Sequence, residues 1–170
     1  MKRNSAICIA LAMGAMGIAV SAAAHPATSD KAKIQSLEDR FAAAFNAKDV
    51  DAIMKTYVPD ESLFVFDAVP PRQYMGAGAY RKDWQAFLAT FKGPLKFEIS
   101  DLDIHTDGML GYSHSIQHVT GTDTKDKPVD FTVRVTDVYK KTKGDWLVVQ
   151  EHVSVPVDFD TGKADLSSKP

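Results

Sequence analysis

The sequence predicts an α+β fold: a curved antiparallel sheet packed against three N-terminal helices, closing into a cone with an internal pocket. Apolar residues recur at helical spacing as far as Phe91, then switch to alternation from Leu95 onward. The alternating half is cut at hairpin intervals by Asp107-Gly108, by residues 122–127 and by Lys143-Gly144. Helices followed by such a meander place their apolar stripes on one face of an antiparallel sheet.

The first helix is read from Ile34, Leu37, Phe41, Ala44 and Phe45, with Ser29 or Asp30 able to cap its start. Asp49 caps a short second helix carrying Val50, Ile53, Met54 and Tyr57 on one side, and Pro59 stops it. Residues 63–67 read as a short strand, Pro70-Pro71 breaks the chain, and residues 73–75 form another short strand. A third helix follows Gly76, turns Tyr80, Trp84, Phe87, Leu88 and Phe91 inward, and ends at Gly93-Pro94. Four longer strands are expected at 95–105, 109–122, 128–141 and 146–159, followed by a loose polar tail, 161–170.

The N-terminus reads as an address. Lys2 and Arg3 precede an uncharged apolar run from Ala6 to Val20, and Ala22-Ala23-Ala24 supplies small residues for cleavage, which is the pattern of a secretory signal peptide. The run is short for a bilayer span, which needs about 20 residues. Residues 1–24 are therefore expected to be removed, leaving a 25–160 domain and its tail in a periplasmic or secreted product with no membrane contact. The chain has 20 Lys+Arg against 22 Asp+Glu, a net charge of −2, which argues against a nucleic-acid partner. The single cysteine, Cys8, falls in the leader, so neither an internal disulfide nor a cysteine zinc site is available.

Alternation assigns faces. In the third long strand Val133, Val135, Asp137 and Tyr139 share one face, and in the last Leu147, Val149, Glu151 and Val153 do. These are the more apolar faces and are placed toward the helices, with Trp146, Val148, Gln150 and His152 outside. Asp137 and Glu151 then interrupt an apolar wall, so each needs a partner or a raised pKa, unless it lies near a strand end and reaches water. Tyr112, His114, Ile116 and His118 share a face of the second long strand. The two histidines are suited to acid–base work, to metal ligation or simply to ordinary hydrogen bonding, and no third ligand is spaced with them, so no metal is expected. Glu151 and His152 point to opposite faces and cannot form a dyad. Asp67 ends the apolar strand beside the prolyl loop: it is either a shielded base or a turn acceptor.

The segments RVTDVYKK at 134–141 and GDWLVVQEHVSVP at 144–156 resemble the SnoaL-like proteins of the nuclear-transport-factor-2-like superfamily, to which ketosteroid isomerase belongs. The resemblance covers roughly residues 30–156 and implies the cone fold, a small-molecule pocket and no cofactor. It places Asp67 on the isomerase's catalytic base and Asp137 on the protonated acid of its oxyanion hole. Phe41 falls on the oxyanion tyrosine and cannot donate a hydrogen bond, whereas Tyr57 lies near in the helical layer. Tyr74 and Trp84 are expected to line the pocket, with Tyr112, His114, His118, Val135 and Glu151 as further contacts. The implied activity is proton transfer next to a carbonyl. The alternatives are a binding module for a small apolar or aromatic ligand, or a structural dimer. The resemblance also implies a homodimer through the outer sheet face, carrying Trp146, His152, Arg134 and Thr136.

Overall fold

The computed structural model describes residues 29–167, so the expected leader at 1–24 lies outside the described residues. Helix α1 (Asp30–Asn46) begins at Ser29, whose hydroxyl accepts from the Ala32 N–H at 3.2 Å. Its buried stripe is Ile34, Leu37, Glu38, Phe41, Ala44 and Phe45. Helix α2 (Val50–Met54) is capped by Asp49, which accepts from the Ala52 N–H at 2.9 Å. Strands β1 (Phe64–Phe66) and β2 (Tyr74–Met75) pair antiparallel, and helix α3 (Ala77–Ala89) follows from Gly76. Gly76 takes a left-handed φ of 83° that a side chain would resist.

Four long strands complete the fold: β3 (Phe91–Thr106), β4 (Leu110–Asp123), β5 (Pro128–Thr142) and β6 (Asp145–Ser154). With β1 and β2 they form one curved, unclosed six-stranded sheet in the order β2-β1-β6-β5-β4-β3. The sheet is mixed rather than wholly antiparallel, because β1 runs parallel to β6. Phe91, expected at the end of the third helix, instead opens β3 and is buried there, since α3 stops at Ala89. Register shifts between Lys92 and Lys96 and between Ser100 and Asp103 bend β3 over the helices.

A further shift decides what β6 puts inside. Val138 pairs with Gln150 but Tyr139 pairs with Val148, so Val149 is an extra, unpaired residue. The phase flips there: Trp146 and Val148 face the core on one side of it, and Glu151 on the other. Trp146 is therefore a core residue, 3% exposed, whose Nε1–H donates to Asp30 Oδ1 at 3.1 Å, and it does not belong on an outer interface as the alternation suggested. Arg134, Thr136 and His152 do lie on the outer face and are exposed.

Strand β6 ends at Ser154, short of Phe159. The chain then doubles back: Val157 bridges Ala164, and the Thr132 N–H of β5 donates to Leu166 O at 2.8 Å, so the first part of the polar tail is tied to the sheet.

Candidate functional site

Strand β1 delivers Asp67. Val65 is fully buried and sits opposite Glu151 in the parallel pair, so both side chains lie on the inner face, and Asp67, two residues on, returns to that side. The Ala68 N–H donates to its Oδ1 at 2.5 Å. Burial pushes its carboxyl up, against the pull of that hydrogen bond, with the charge of Asp83 adding to the rise.

Asp67 borders a cavity of about 330 Å³ between α1, α3 and the sheet, a volume at the small end of ligand pockets. Its helical wall is aromatic: Phe41 and Phe45 from α1, and Tyr80, Trp84 and Phe87 from α3. Phe97, Val119, Phe131, Val133 and Val153 form the sheet wall, and Gln117, Asp83 and Glu151 add polar groups. The Trp84 Nε1–H is buried without a hydrogen-bond partner among the described residues.

Behind this cavity lies a second group of side chains, packed too tightly to admit water: Glu38, Thr56, Tyr57, Asp137 and Val148, with Phe41, Gln117 and Glu151 shared between the two spaces. Glu151 is its hub. The Tyr57 hydroxyl donates to Glu151 Oε2 at 2.7 Å, and the Tyr80 hydroxyl donates to Oε1. Asp137 stands directly across the β5–β6 ladder and hydrogen-bonds to Glu151, which requires one of the two carboxyls to keep its proton. Asp137 Oδ1 has no partner among the described residues. A second chain of bonds joins Ser113, Tyr139 and Glu38: the two hydroxyls are 2.6 Å apart, and Tyr139 donates to Glu38 Oε1 at 2.8 Å.

Among the described residues no basic side chain enters this acid cluster, and its protons are held accordingly. Burial pushes Glu38 and Glu151 up to about 7 each. Asp137 is driven well above the carboxylate range by burial first, then by the charges of Glu151 and Glu38. It is the protonated member of the pair, and Glu151, with two tyrosine donors, is the one that ionises.

Phe41, Trp84, Asp67 and Glu151 therefore meet at the cavity. Asp137 is buried and next to Glu151, but it does not reach the cavity wall. Tyr57 is likewise sealed behind Phe41, with its hydroxyl occupied by Glu151. Tyr74 is half-buried outside the wall; its hydroxyl donates to Asp83 Oδ1 at 2.5 Å. Val135 faces inward and is 2% exposed, but it does not border the cavity.

Tyr112, His114 and His118 are a correction: they lie on the outer face of β4, while Ser113, Ser115, Gln117 and Val119 face in. Tyr112 stacks on His105 at 5.0 Å, and His118 pairs with Asp130 at 2.8 Å. The inner face takes small polar residues here because Tyr139 fills the space opposite, bonding to Ser113 and donating to Glu38.

Tyr80, Asp83 and Glu38 are site residues that the sequence reading missed. Glu38 had a legible signal, since it lies four residues after Ile34 on the inward stripe of α1. Tyr80 had one too, four residues before Trp84 on the inward stripe of α3.

Residues 34–158 match the family model described as SnoaL-like domain. Among solved structures, an NTF2-like protein of unknown function from Pseudomonas putida KT2440 is 30% identical, covering 82% of this chain and 95% of that one with a TM-score of 0.74. An NTF2-like superfamily protein from Salmonella enterica serovar Typhimurium is 15% identical, covering 78% and 95% of the two chains, with a TM-score of 0.69. A candidate dehydratase of the NTF2-like family from Streptomyces avermitilis is also 15% identical, covering 74% and 95%, with a TM-score of 0.63. No curated protein matches the chain. With the family model spanning most of its length and these folds superposing on it, the chain belongs to the SnoaL-like family of the NTF2-like superfamily.

Proposed function

We propose that the protein binds a small, largely apolar or aromatic molecule in the cavity between α1, α3 and the sheet, and that Asp67 moves a proton on it. The observation that carries this reading is a carboxylate, its pKa raised by burial, on the wall of an aromatic cavity of about 330 Å³. In its ionised form Asp67 takes a proton from the carbon beside a carbonyl, and the same carboxyl returns it at a second carbon. Phe41 cannot polarise the carbonyl oxygen. Trp84 carries an unused donor, but its Nε1–H is buried away from the open cavity, so it serves in that place only once the indole turns toward the oxygen. Asp137 acts only through Glu151, as a positioning residue.

Asp67→Asn keeps size and shape but removes the base. With a panel of β,γ-unsaturated ketones, it is expected to lower kcat on the order of 10²-fold or more while changing affinity little. Equal turnover by the two proteins would remove Asp67 from the chemistry.

A second reading, binding without turnover, is favoured by one observation: Glu151 and Asp137 spend their hydrogen bonds on each other and on tyrosines, leaving the wall poor in donors. Under it the panel is bound and returned unchanged, and the substitution alters affinity alone.

Both readings place the protein outside the cytoplasm, supported by the charged, apolar and small-residue order of residues 1–24. N-terminal sequencing of protein recovered from the periplasm or medium should begin at His25, and a chain still beginning at Met1 would refute export by cleavage.

A further inference from the structure

We propose that the cavity selects an organic cation, an amine or quaternary ammonium group carried on an apolar or aromatic body. This rests on reading the cavity as a small-molecule pocket, and it holds whether or not Asp67 performs chemistry. Three acidic residues, Asp67, Asp83 and Glu151, border the cavity, and among the described residues no lysine, arginine or histidine does. Immediately behind the wall lie Glu38, which burial pushes up to about 7, and Asp137, which keeps its proton and adds no charge. None of the five forms an ion pair among the described residues.

The chain as a whole is nearly balanced, with 20 basic and 22 acidic residues, so this separation is local. Basic side chains gather elsewhere: Lys33, Arg40, Lys55, Lys140 and Lys143 line a separate open groove. The polar groups on the wall are already engaged in ways that leave negative charge uncompensated. Tyr74 donates to Asp83, the Ala68 N–H donates to Asp67, and Tyr57 and Tyr80 donate to Glu151. Each donor orients a carboxylate without neutralising it.

The rings add to the same field, because the face of an aromatic ring is its negative side and attracts ammonium groups. They stand edge to face rather than stacked around Trp84: Phe41 at 5.7 Å and 70°, Phe45 at 5.5 Å and 84°, and Phe87 at 6.0 Å and 79°. Phe45 is in addition stacked on Phe97 at 4.3 Å and 18°, which covers one of its faces, so the acids rather than the rings carry the selection. A metal ion is the wrong occupant, since among the described residues no three metal-ligating side chains converge on one point. A neutral ligand leaves the acids uncompensated, and an anion is repelled by them. Under the proton-transfer reading, the substrate is then a carbonyl compound that also bears an ammonium group.

Three probes of matched shape separate the cases: 3-phenylpropylammonium, 3-phenylpropanol and 3-phenylpropionate, each titrated calorimetrically at pH 8 and low salt into the exported form of the protein. The ammonium is expected to bind at least about tenfold more tightly than the alcohol, and the propionate more weakly than either. Asp67→Asn and Asp83→Asn, each checked for folding by circular dichroism, should each narrow the gap between ammonium and alcohol at least threefold. Equal affinity for all three probes, or preference for the propionate, would overturn the cation inference and leave the pocket reading standing. A gap that both substitutions leave intact would overturn it too. Binding of none of the three would remove the pocket reading itself, and the inference with it.

Discussion

Replacing Glu151 with alanine is expected to destabilise the protein by about 3–5 kcal/mol, measured by urea unfolding at pH 6. The loss has an identifiable source. Two tyrosine hydroxyls, from Tyr57 and Tyr80, both 2% exposed, donate to this one carboxyl, and Asp137 bonds to it from the neighbouring strand. Alanine strands all of them where water does not reach, and it opens a gap between the cavity and the sealed acid cluster. Glutamine fills the same space and still offers an oxygen to the tyrosines, so Glu151→Gln should cost less than about 1.5 kcal/mol. If alanine proved as mild as glutamine, the hydroxyls would have other partners and Glu151 would not be the hub described above.

The same cluster dictates how stability depends on pH. A carboxyl whose pKa is raised in the folded state binds its proton more tightly there than in the unfolded chain. Its contribution to stability is therefore complete below the unfolded pKa, near 4.5 for glutamate, and is lost as pH rises through the folded value, about 7 for Glu38 and Glu151. Asp137 and Asp67, also raised, act in the same direction. The aspartates whose pKa is lowered, Asp30, Asp60, Asp103, Asp107, Asp123 and Asp158, contribute stability above their unfolded value of 3.8 and lose it only in acid, so they are silent between pH 5 and 8. One carboxyl shifted from 4.5 to about 7 removes about 2–3 kcal/mol between pH 5 and pH 8, or roughly 10 °C in Tm for a domain of this size. The protein should thus melt at a lower temperature at pH 8 than at pH 5, and Glu151→Gln should flatten the difference. A Tm that is constant or rises across that interval would mean the acids are solvated.

The order of elements was legible because the change of period near Phe91 is a property of the local sequence, and the helix caps at Ser29 and Asp49 stand where short polar side chains precede apolar stripes. Asp67 and Trp84 were legible for the same reason: an acid closing an apolar strand, and an indole on an inward helical stripe. The parallel pairing of β1 with β6 was not, since three residues carry no signal of direction and their partner lies far along the chain. Nor was the phase of β4. Burial there follows the chain of hydrogen bonds from Ser113 through Tyr139 to Glu38 rather than apolarity, so the bulkier face with Tyr112 and the histidines looked like the inner one. In β6 the run Trp146-Leu147-Val148-Val149 is apolar at every position, and parity cannot be read where both faces are equally greasy.

That unpaired valine also governs where the chain can change length. Deleting Val149 would simply remove the bulge: Val148 and Gln150 would become neighbours opposite Tyr139 and Val138, β6 would alternate regularly, and Trp146, Val148 and Glu151 would all keep their inward face. Kindred chains can accordingly lack this one residue and still turn both the indole and the acid inward, whereas adding a residue to a regular β6 demands a bulge to absorb it. An alignment with such a relative must open a one-residue gap at Val149, or it will match the buried acid with a surface position and misjudge which relatives share it.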